Sequence, residues 1–122
     1  MAKVKKNIAG YIDHTLLKPN ATEAEIDAIC QDAIEHKFAS VCVNPTYVAR
    51  AFNNLKDSDV PVAAVVGFPL GASSPEIKAA ETREVVANGA HEIDMVLNIS
   101  ALRNSDFELV YRDILAVVRA AS

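Results

Sequence analysis

Glu92-Ile-Asp-Met-Val-Leu-Asn-Ile99 is an apolar run that predicts a buried β-strand with one carboxylate, Asp94, in its interior. Taking an unpaired carboxylate out of water costs several kcal/mol, so a buried acid is normally paired, neutralised or used in chemistry. A structural salt bridge is the commoner explanation for an arbitrary buried acid. A group that transfers protons is the alternative, and the rest of the chain decides between the two.

The Asp94 run is the last of four apolar runs that alternate with amphipathic helix patterns. The earlier runs lie at residues 11–13, 38–43 and 60–66. Strands that alternate with helices at intervals of roughly 25–30 residues are typical of βαβ units and a parallel sheet. The sequence therefore predicts an α/β protein in which residues 1–122 form a single domain with right-handed crossovers. Two architectures fit the pattern, an open doubly wound sheet and part of a (β/α)8 barrel.

Capping residues mark the predicted helix starts. Hydroxyl, amide and proline side chains at these places satisfy or tolerate the free N–H groups of a first turn. The pairs are Thr22 with Glu25, Asn44 with Pro45, Ser74 with Pro75, and Ser105 with Glu108. Gly89 is predicted to end the third helix in a left-handed conformation. The apolar stripe predicted for the last helix is Phe107, Val110, Ile114 and Val117.

Composition and charge argue against several classes of function. The formal charge is −4 and the basic residues are scattered, so no nucleic-acid partner is predicted. No apolar stretch approaches the roughly 20 residues that cross a bilayer, so no membrane partner is predicted either. The basic residues at 3–6 are not followed by the apolar segment of a secretory signal. Cys30 and Cys42 form no CxxC pair and predict reduced, buried thiols in a cytoplasmic protein.

Polar residues near the strand ends are the candidate functional groups, because ligands of parallel α/β sheets bind at the carboxyl ends of the strands. Asp13, Cys42, Asn44, Gly67 and Asn98 fall on or near such ends. Two carboxylates, one on the first strand and one on the fourth, can divide binding and proton transfer between them. Asp13 fits a turn or a cap equally well.

The nucleophile candidates are weaker. Cys42 has no histidine beside it in sequence, so a small buried strand residue is the favoured interpretation. The three histidines have no metal-binding spacing, and no metal or other cofactor is predicted. A Schiff-base lysine needs a desolvated pocket, and no lysine has an obviously apolar setting. Lys18 lies in the loop after the first strand, whereas Lys37, Lys56 and Lys78 are predicted at helix ends or on outer helix faces.

A resemblance to a known family joins these observations. Tyr11-Ile-Asp-His-Thr-Leu-Leu-Lys-Pro19 resembles the opening motif of deoxyribose-phosphate aldolases. Three further segments match that family in the expected order. They are Ser40-Val-Cys-Val-Asn-Pro45, Val65-Val-Gly-Phe-Pro-Leu-Gly-Ala72 and Gly89-Ala-His-Glu-Ile-Asp-Met-Val-Leu-Asn98. Together the four segments span nearly the whole chain, and they match the N-terminal half of the family.

The resemblance implies a fold, a reaction and roles for four residues. The fold is the parallel (βα)4 half of a (β/α)8 barrel. The reaction is a metal-free, class I cleavage of 2-deoxyribose 5-phosphate to acetaldehyde and glyceraldehyde 3-phosphate through a lysine Schiff base. By motif, Asp94 is the catalytic aspartate that relays protons, and Asp13 lies near the substrate hydroxyl groups. Cys42 matches a cysteine that lines the site, and Thr15 belongs to the same wall.

Both lysines of the family lie in its C-terminal half, so we expect residues 1–122 alone to lack aldolase activity. Half a barrel also has two open strand edges and an uncovered inner face, which favours self-association or pairing with a C-terminal half. Two other interpretations stay open at this point. One is a receiver-like signalling module, which needs an acidic pair on the first strand and a fifth strand with a lysine. The other is a half-barrel assembly unit without chemistry.

Overall fold

The four predicted apolar runs form the strands of one parallel sheet. The structure, a computed structural model, describes residues 7–122, so the basic cluster at 3–6 lies outside the described residues. The sheet has the order β1-β2-β3-β4 and every neighbouring pair is parallel. Its strands are β1 (Asp13–Leu16), β2 (Ser40–Val43), β3 (Val62–Val66) and β4 (Glu92–Met95). β1 begins later than predicted, because Tyr11 belongs to a 3-10 turn, Ile8–Tyr11.

Helices follow each strand, as the alternating pattern predicts. They are α1 (Glu23–His36), α2 (Val48–Leu55), α3 (Pro75–Ala87), α4 (Ile99–Arg103) and α5 (Phe107–Ala121). A 3-10 turn, Pro45–Tyr47, leads into α2, and the short helix α4 was not predicted. Within residues 7–122, no helix is both long and apolar enough to cross a membrane.

The helices of the core all pack on one face of the sheet. Val41, Val43 and Val66 point to that face and share one buried cluster with Ile26 of α1 and Val48 of α2. α3 and α5 add Val85 and Val117 to the same cluster. A doubly wound sheet needs helices on both faces and a change in strand order, so that alternative is wrong for the described residues. Sequential parallel strands with helices on one side are the arrangement of half a (β/α)8 barrel.

Two helix starts are confirmed in detail. The Thr22 side chain accepts a hydrogen bond from the Glu25 amide, and the Glu25 carboxylate accepts one from the Thr22 amide at 2.7 Å. These bonds, first to the amide and then to the hydroxyl of Thr22, hold the pKa of Glu25 below its usual value. Ser74 caps α3 by accepting from the amide of Ile77. Gly89 has a φ of 111°, as expected of a glycine that ends a helix.

The other two caps differ from the prediction. Asn44 precedes the 3-10 turn but does not cap it, since its side-chain amide donates instead to the backbone oxygen of Leu17 at 3.2 Å. At α5 the cap is Asp106, which accepts from the amide of Leu109, rather than Ser105. Ser105 has a φ of 58° and forms the turn before the cap. The aspartate side chain reaches the first turn and so replaces the serine one residue earlier.

The predicted stripe of α5 is only partly correct. Val117 is buried, but Phe107 is 64% exposed and Ile114 is 40% exposed. The second buried residue of α5 is Asp113, a charged one. α5 packs on α3 along one flank, and no later helix of the described chain covers its other flank. The apolar side chains on that second flank therefore stay in contact with solvent.

Core packing against β2 and β3 gives a direct test of the fold. Ile26 is fully buried, so Ile26→Ala is expected to lower the free energy of unfolding by about 2–5 kcal/mol. Ile77 is 60% exposed, and Ile77→Ala is the matched control, with an expected change below about 0.5 kcal/mol. Urea denaturation followed by circular dichroism measures both. Equal costs for the two variants would contradict the assignment of the helix-covered face.

Candidate active site

The second face of the sheet carries the polar residues. Strand side chains alternate between faces, so the residues that do not meet the helices share the other side. We call it the open face; its members are Asp13, Thr15, Ser40, Cys42, Ala63, Val65, Glu92 and Asp94. In the strand register Thr15 lies opposite Cys42, and Val65 lies opposite Asp94. The open face therefore brings together all four residues that the sequence predicts for the site.

Asp13 and Thr15 form the β1 side of the open face. The Ser40 hydroxyl donates a hydrogen bond to Asp13 Oδ1 at 2.7 Å, which fixes the carboxylate against β2. The Thr15 hydroxyl donates to the backbone oxygen of Asp13, also at 2.7 Å. Asp13 is the first residue of β1, so the expectation that it lies near a carboxyl end is wrong. Its side chain nevertheless faces the same side of the sheet as Asp94.

Cys42 lies at the centre of the open face and is only 4% exposed. Burial first, and then the negative charges of Asp94 and Asp13, raise the pKa of its thiol to about 11. Glu92 adds a smaller effect in the same direction, and a hydrogen bond with Thr15 opposes it. The thiol is therefore protonated at neutral pH and is a poor nucleophile. This supports the interpretation of Cys42 as a small wall residue rather than an attacking group.

Asp94 lies on β4 and is exposed, so the prediction of a buried acid is wrong for this chain. The reason is long-range. β4 is an edge strand of the described sheet, so no further strand of residues 7–122 lies beside Asp94. The neighbouring Ile93 and Met95 pack against the helix-covered core, so Asp94 points to the opposite side of the sheet.

Polar groups at the carboxyl ends of the strands shape the rim of the site. Asn44 ties the end of β2 to the segment after β1. Gly67, directly after β3, donates its amide to Glu81 Oε1 at 2.8 Å. Asn98, three residues after β4, caps α4 by accepting from the amide of Ala101 at 3.0 Å. These three residues therefore hold backbone in place, and none of them lies on the open face.

Lys78 is a buried residue beside the end of β4, and its burial was not predicted from the sequence. It was predicted on an outer helix face, but its side chain is fully buried. Its ammonium group donates to the backbone oxygens of Gly71 and Val96, each at 2.9 Å, and to Asp113 Oδ2 at 2.5 Å. Helical spacing carried the signal, since Lys78, Thr82 and Val85 follow one another at i, i+4 and i+7 and are all buried.

The other lysines of the described chain, like Lys78, lie outside the four strands. Lys18 is exposed after β1, where its charge acts on Glu25. Lys37 and Lys56 are exposed at the ends of α1 and α2. The strands themselves contain neither lysine nor arginine. Within residues 7–122, no three His, Cys, Asp or Glu side chains group closely enough to hold a metal ion.

A one-sided parallel sheet with carboxylates, hydroxyls and a protonated thiol on its open face defines the class: half of a (β/α)8-barrel enzyme. The comparison with protein families is specific within that class. Residues 8–122 match the model of the DeoC/LacD family aldolases. The chain belongs to that family.

Individual relatives agree with the family match. The chain is 58% identical over 116 residues to a deoxyribose-phosphate aldolase of an Exiguobacterium species and 59% identical over 119 residues to one of Halalkalibacterium halodurans. These matches take in 94% and 97% of this chain but only 52% and 53% of the relatives. The chain thus spans about half the length of the curated relatives it matches.

Solved structures share the fold over the same extent. A Coccidioides immitis protein, provisionally described as a deoxyribose-phosphate aldolase, superposes with a TM-score of 0.92 at 43% identity. A tetrameric deoxyribose phosphate aldolase from Aeropyrum pernix superposes with a TM-score of 0.85 at 32% identity. The superpositions cover 94% and 93% of this chain, and 46% and 47% of those proteins. The described sheet is therefore half of the barrel that these aldolases share.

The electrostatics of the open face can be tested through Cys42. Asp94→Asn removes the largest charge effect on the thiol, so the pKa of Cys42 is expected to fall from about 11 toward the ordinary thiol value. Iodoacetamide labelling as a function of pH, with peptide mapping to separate Cys42 from Cys30, measures the shift. Asp57→Asn, in the turn before β3, is the control and is expected to leave the labelling profile unchanged. An unchanged profile for Asp94→Asn would contradict the described proximity.

Proposed function

We propose that this chain supplies half of the active site of a class I aldolase that cleaves 2-deoxyribose 5-phosphate to acetaldehyde and glyceraldehyde 3-phosphate. The observation that carries the proposal is the convergence of Asp13 and Asp94 on Cys42 on one face of a sheet in the aldolase family. In this proposal a lysine outside residues 1–122 forms the Schiff base. The absence of lysine and arginine from all four strands supports that division of labour.

Each open-face residue has a role in the proposed reaction. Asp94 moves protons to and from the carbon beside the imine, as a carboxylate general acid and base does. Asp13, fixed by Ser40, accepts hydrogen bonds from substrate hydroxyl groups. Thr15 and Cys42 form the wall between the two carboxylates. Closure of a barrel over β4 would remove Asp94 from water and so strengthen its electrostatic action on the substrate.

The partner in this proposal is a complementary half-barrel rather than a second copy of the chain. Asp13, Glu92 and Asp94 give the open face three carboxylates and no cation. Two copies closing on each other would enclose two such sets in one interior, where like charges repel strongly. A partner with basic inward side chains relieves this repulsion.

The helices at the two edges of the half-barrel, α5 and α1, also differ in their exposed apolar surface. Along α5, four large apolar side chains form an exposed stripe at helical spacing; we call this the α5 stripe, and it consists of Phe107, Tyr111, Ile114 and Val118. α1, at the other edge, exposes no large apolar side chain. A closed pair of copies would place the α5 stripe against the polar flank of α1. A partner that presents an apolar helix to the α5 stripe fits better.

The domain and the compartment follow the same proposal. Residues 1–122 act as one domain, since a single buried cluster joins the helices to all four strands. We place the protein in the cytoplasm, where thiols stay reduced, because Cys30 and Cys42 are both free and buried.

Activity is tested with the purified chain alone and with the part of the Exiguobacterium relative that this chain does not match. We expect the mixture, but not the chain alone, to cleave 2-deoxyribose 5-phosphate. Borohydride with acetaldehyde is expected to trap a covalent adduct on the added half only. Asp94→Asn is expected to lower kcat of the mixture by about 10²–10⁴-fold, the usual contribution of a general acid or base.

Asp57→Asn serves as the control for charge removal away from the open face and should leave kcat unchanged. An adduct on this chain alone would overturn the proposed source of the amine. Full activity of Asp94→Asn in the mixture would overturn the role of Asp94. A mixture that assembles without any cleavage would favour the half-barrel assembly unit without chemistry.

The α5 stripe provides a separate test of the partner. Ile114→Lys with Val118→Lys places two charges on the stripe and is expected to weaken binding of the added half more than tenfold, because buried apolar contacts dominate such interfaces. Ile77→Lys, on the exposed side of α3, is the matched control with no expected change. Isothermal titration calorimetry measures the affinity, and sedimentation gives the assembly state. A closed dimer of this chain that excludes the added half would contradict the proposal.

A further inference from the structure

Lys78 connects three segments at the carboxyl side of the sheet. Its Nζ atom donates three hydrogen bonds: to Gly71 in the loop after β3, to Val96 directly after β4, and to Asp113 of α5. The Lys78 side chain is 0% exposed and that of Asp113 is 1% exposed. Asp113 Oδ1 has no hydrogen-bond partner among the described residues, so Lys78 alone compensates this carboxylate.

Stability alone does not account for this arrangement. Two buried charges lose their hydration, and replacing such a pair by apolar residues of similar size is often neutral or stabilising. An apolar pair cannot replace these hydrogen bonds, because only the ammonium group holds the backbone oxygens of Gly71 and Val96 at hydrogen-bond distance from one atom. The ion pair therefore fixes the positions of the two backbone oxygens, and the cost is the desolvation of both charges.

Two glycines of the loop after β3, Gly67 and Gly71, lie in close contact with Lys78 and with the backbone after β4. A Cβ atom on Gly67 would lie 2.9 Å from Lys78 Cε, and a Cβ on Gly71 would lie 2.1 Å from the backbone oxygen of Leu97. Both glycines have a positive φ, 65° and 64°. The aliphatic part of the Lys78 side chain thus packs against Gly67, while Gly71 contacts the backbone that follows β4. Loop and strand end are held in direct contact.

We propose that Lys78 is a positioning residue for Asp94, an inference that rests on the proposed aldolase function. The connection is short. Lys78 Nζ holds the oxygen of Val96, the residue directly after β4, and the Val96 amide donates to the oxygen of Val66 at 2.9 Å. Asp94 lies two residues before Val96, on β4. β4 is an edge strand with pairing on one side only. The lysine adds a side-chain hydrogen bond at the point where the backbone pairing of β4 with β3 ends.

The test removes the charged pair as a unit. Lys78→Met with Asp113→Leu replaces both groups by apolar ones and leaves no buried lone charge, so the chain is expected to stay folded. In the active mixture we expect kcat to fall by about 10²-fold with little change in KM, because a small displacement of a reacting group has that effect. In the isolated chain, we expect amide exchange of Val96 to rise at least about tenfold and the carboxyl ¹³C resonance of Asp94 to move.

Two further variants separate positioning from general stability. Arg50→Met with Asp27→Leu removes the ion pair between α1 and α2, whose Nη2–Oδ2 distance is 2.7 Å, and is expected to change none of these readouts. Asp113→Asn keeps an oxygen that accepts from Lys78 but removes the counter-charge of the buried ammonium group, so it is expected to lower the stability of the chain and, in the folded fraction, to retain most of kcat.

The outcomes distinguish this inference from the proposed function. An unchanged kcat and an unchanged Asp94 resonance in the folded double variant, with Asp94→Asn inactive, would overturn the role of Lys78 alone. If the mixture shows no aldolase activity at all, the proposed function fails. The Asp94 resonance and the Val96 exchange then still decide whether Lys78 positions that strand.

Discussion

One-sided packing is the constraint on which the rest of this structure depends. Parallel strands in sequential order send every helix to the same face of the sheet when all crossovers have the same hand. Alternation then divides each strand, so that Val41 and Val43 enter the core while Cys42 between them faces the other side. A polar constellation can form only on that second face, because the first is occupied by aliphatic side chains. The separation of Asp13 and Asp94 from the core follows from this division.

The buried pair of Lys78 and Asp113 restrains the end of a strand that lies at the edge of the half-barrel. An edge strand of a half-barrel has neighbours on one side only, and its carboxyl end carries chemistry in the proposed function. Backbone pairing with β3 ends at the Val96 amide, beyond which the chain turns toward α4. The Lys78 ammonium group binds the backbone oxygens of Gly71 and Val96 and so restrains this end without extending the sheet. The cost is desolvation of both charges, which the surrounding core must offset.

Much of the fold could be predicted from the sequence, because its signals are local. The apolar runs located β2, β3 and β4 and overlapped β1 at Asp13, and the Thr22 and Ser74 caps gave two helix starts. The exposure of Asp94 could not be predicted in this way, since burial depends on what packs across the edge. Lys78 was missed for a related reason: a lysine is normally solvated, and its partner Asp113 lies 35 residues away.

The raised pKa of the Cys42 thiol has a consequence for the compatibility of this cysteine with the proposed aldehyde chemistry. Thiolates add to aldehydes to give hemithioacetals and are also the form that peroxides attack. With a pKa of about 11, roughly one molecule in 10⁴ carries the thiolate at pH 7. Cys42 therefore reacts with aldehydes and peroxides more slowly than a thiol of ordinary pKa. Burial first, and then the neighbouring carboxylates, limit covalent modification and oxidation of this thiol.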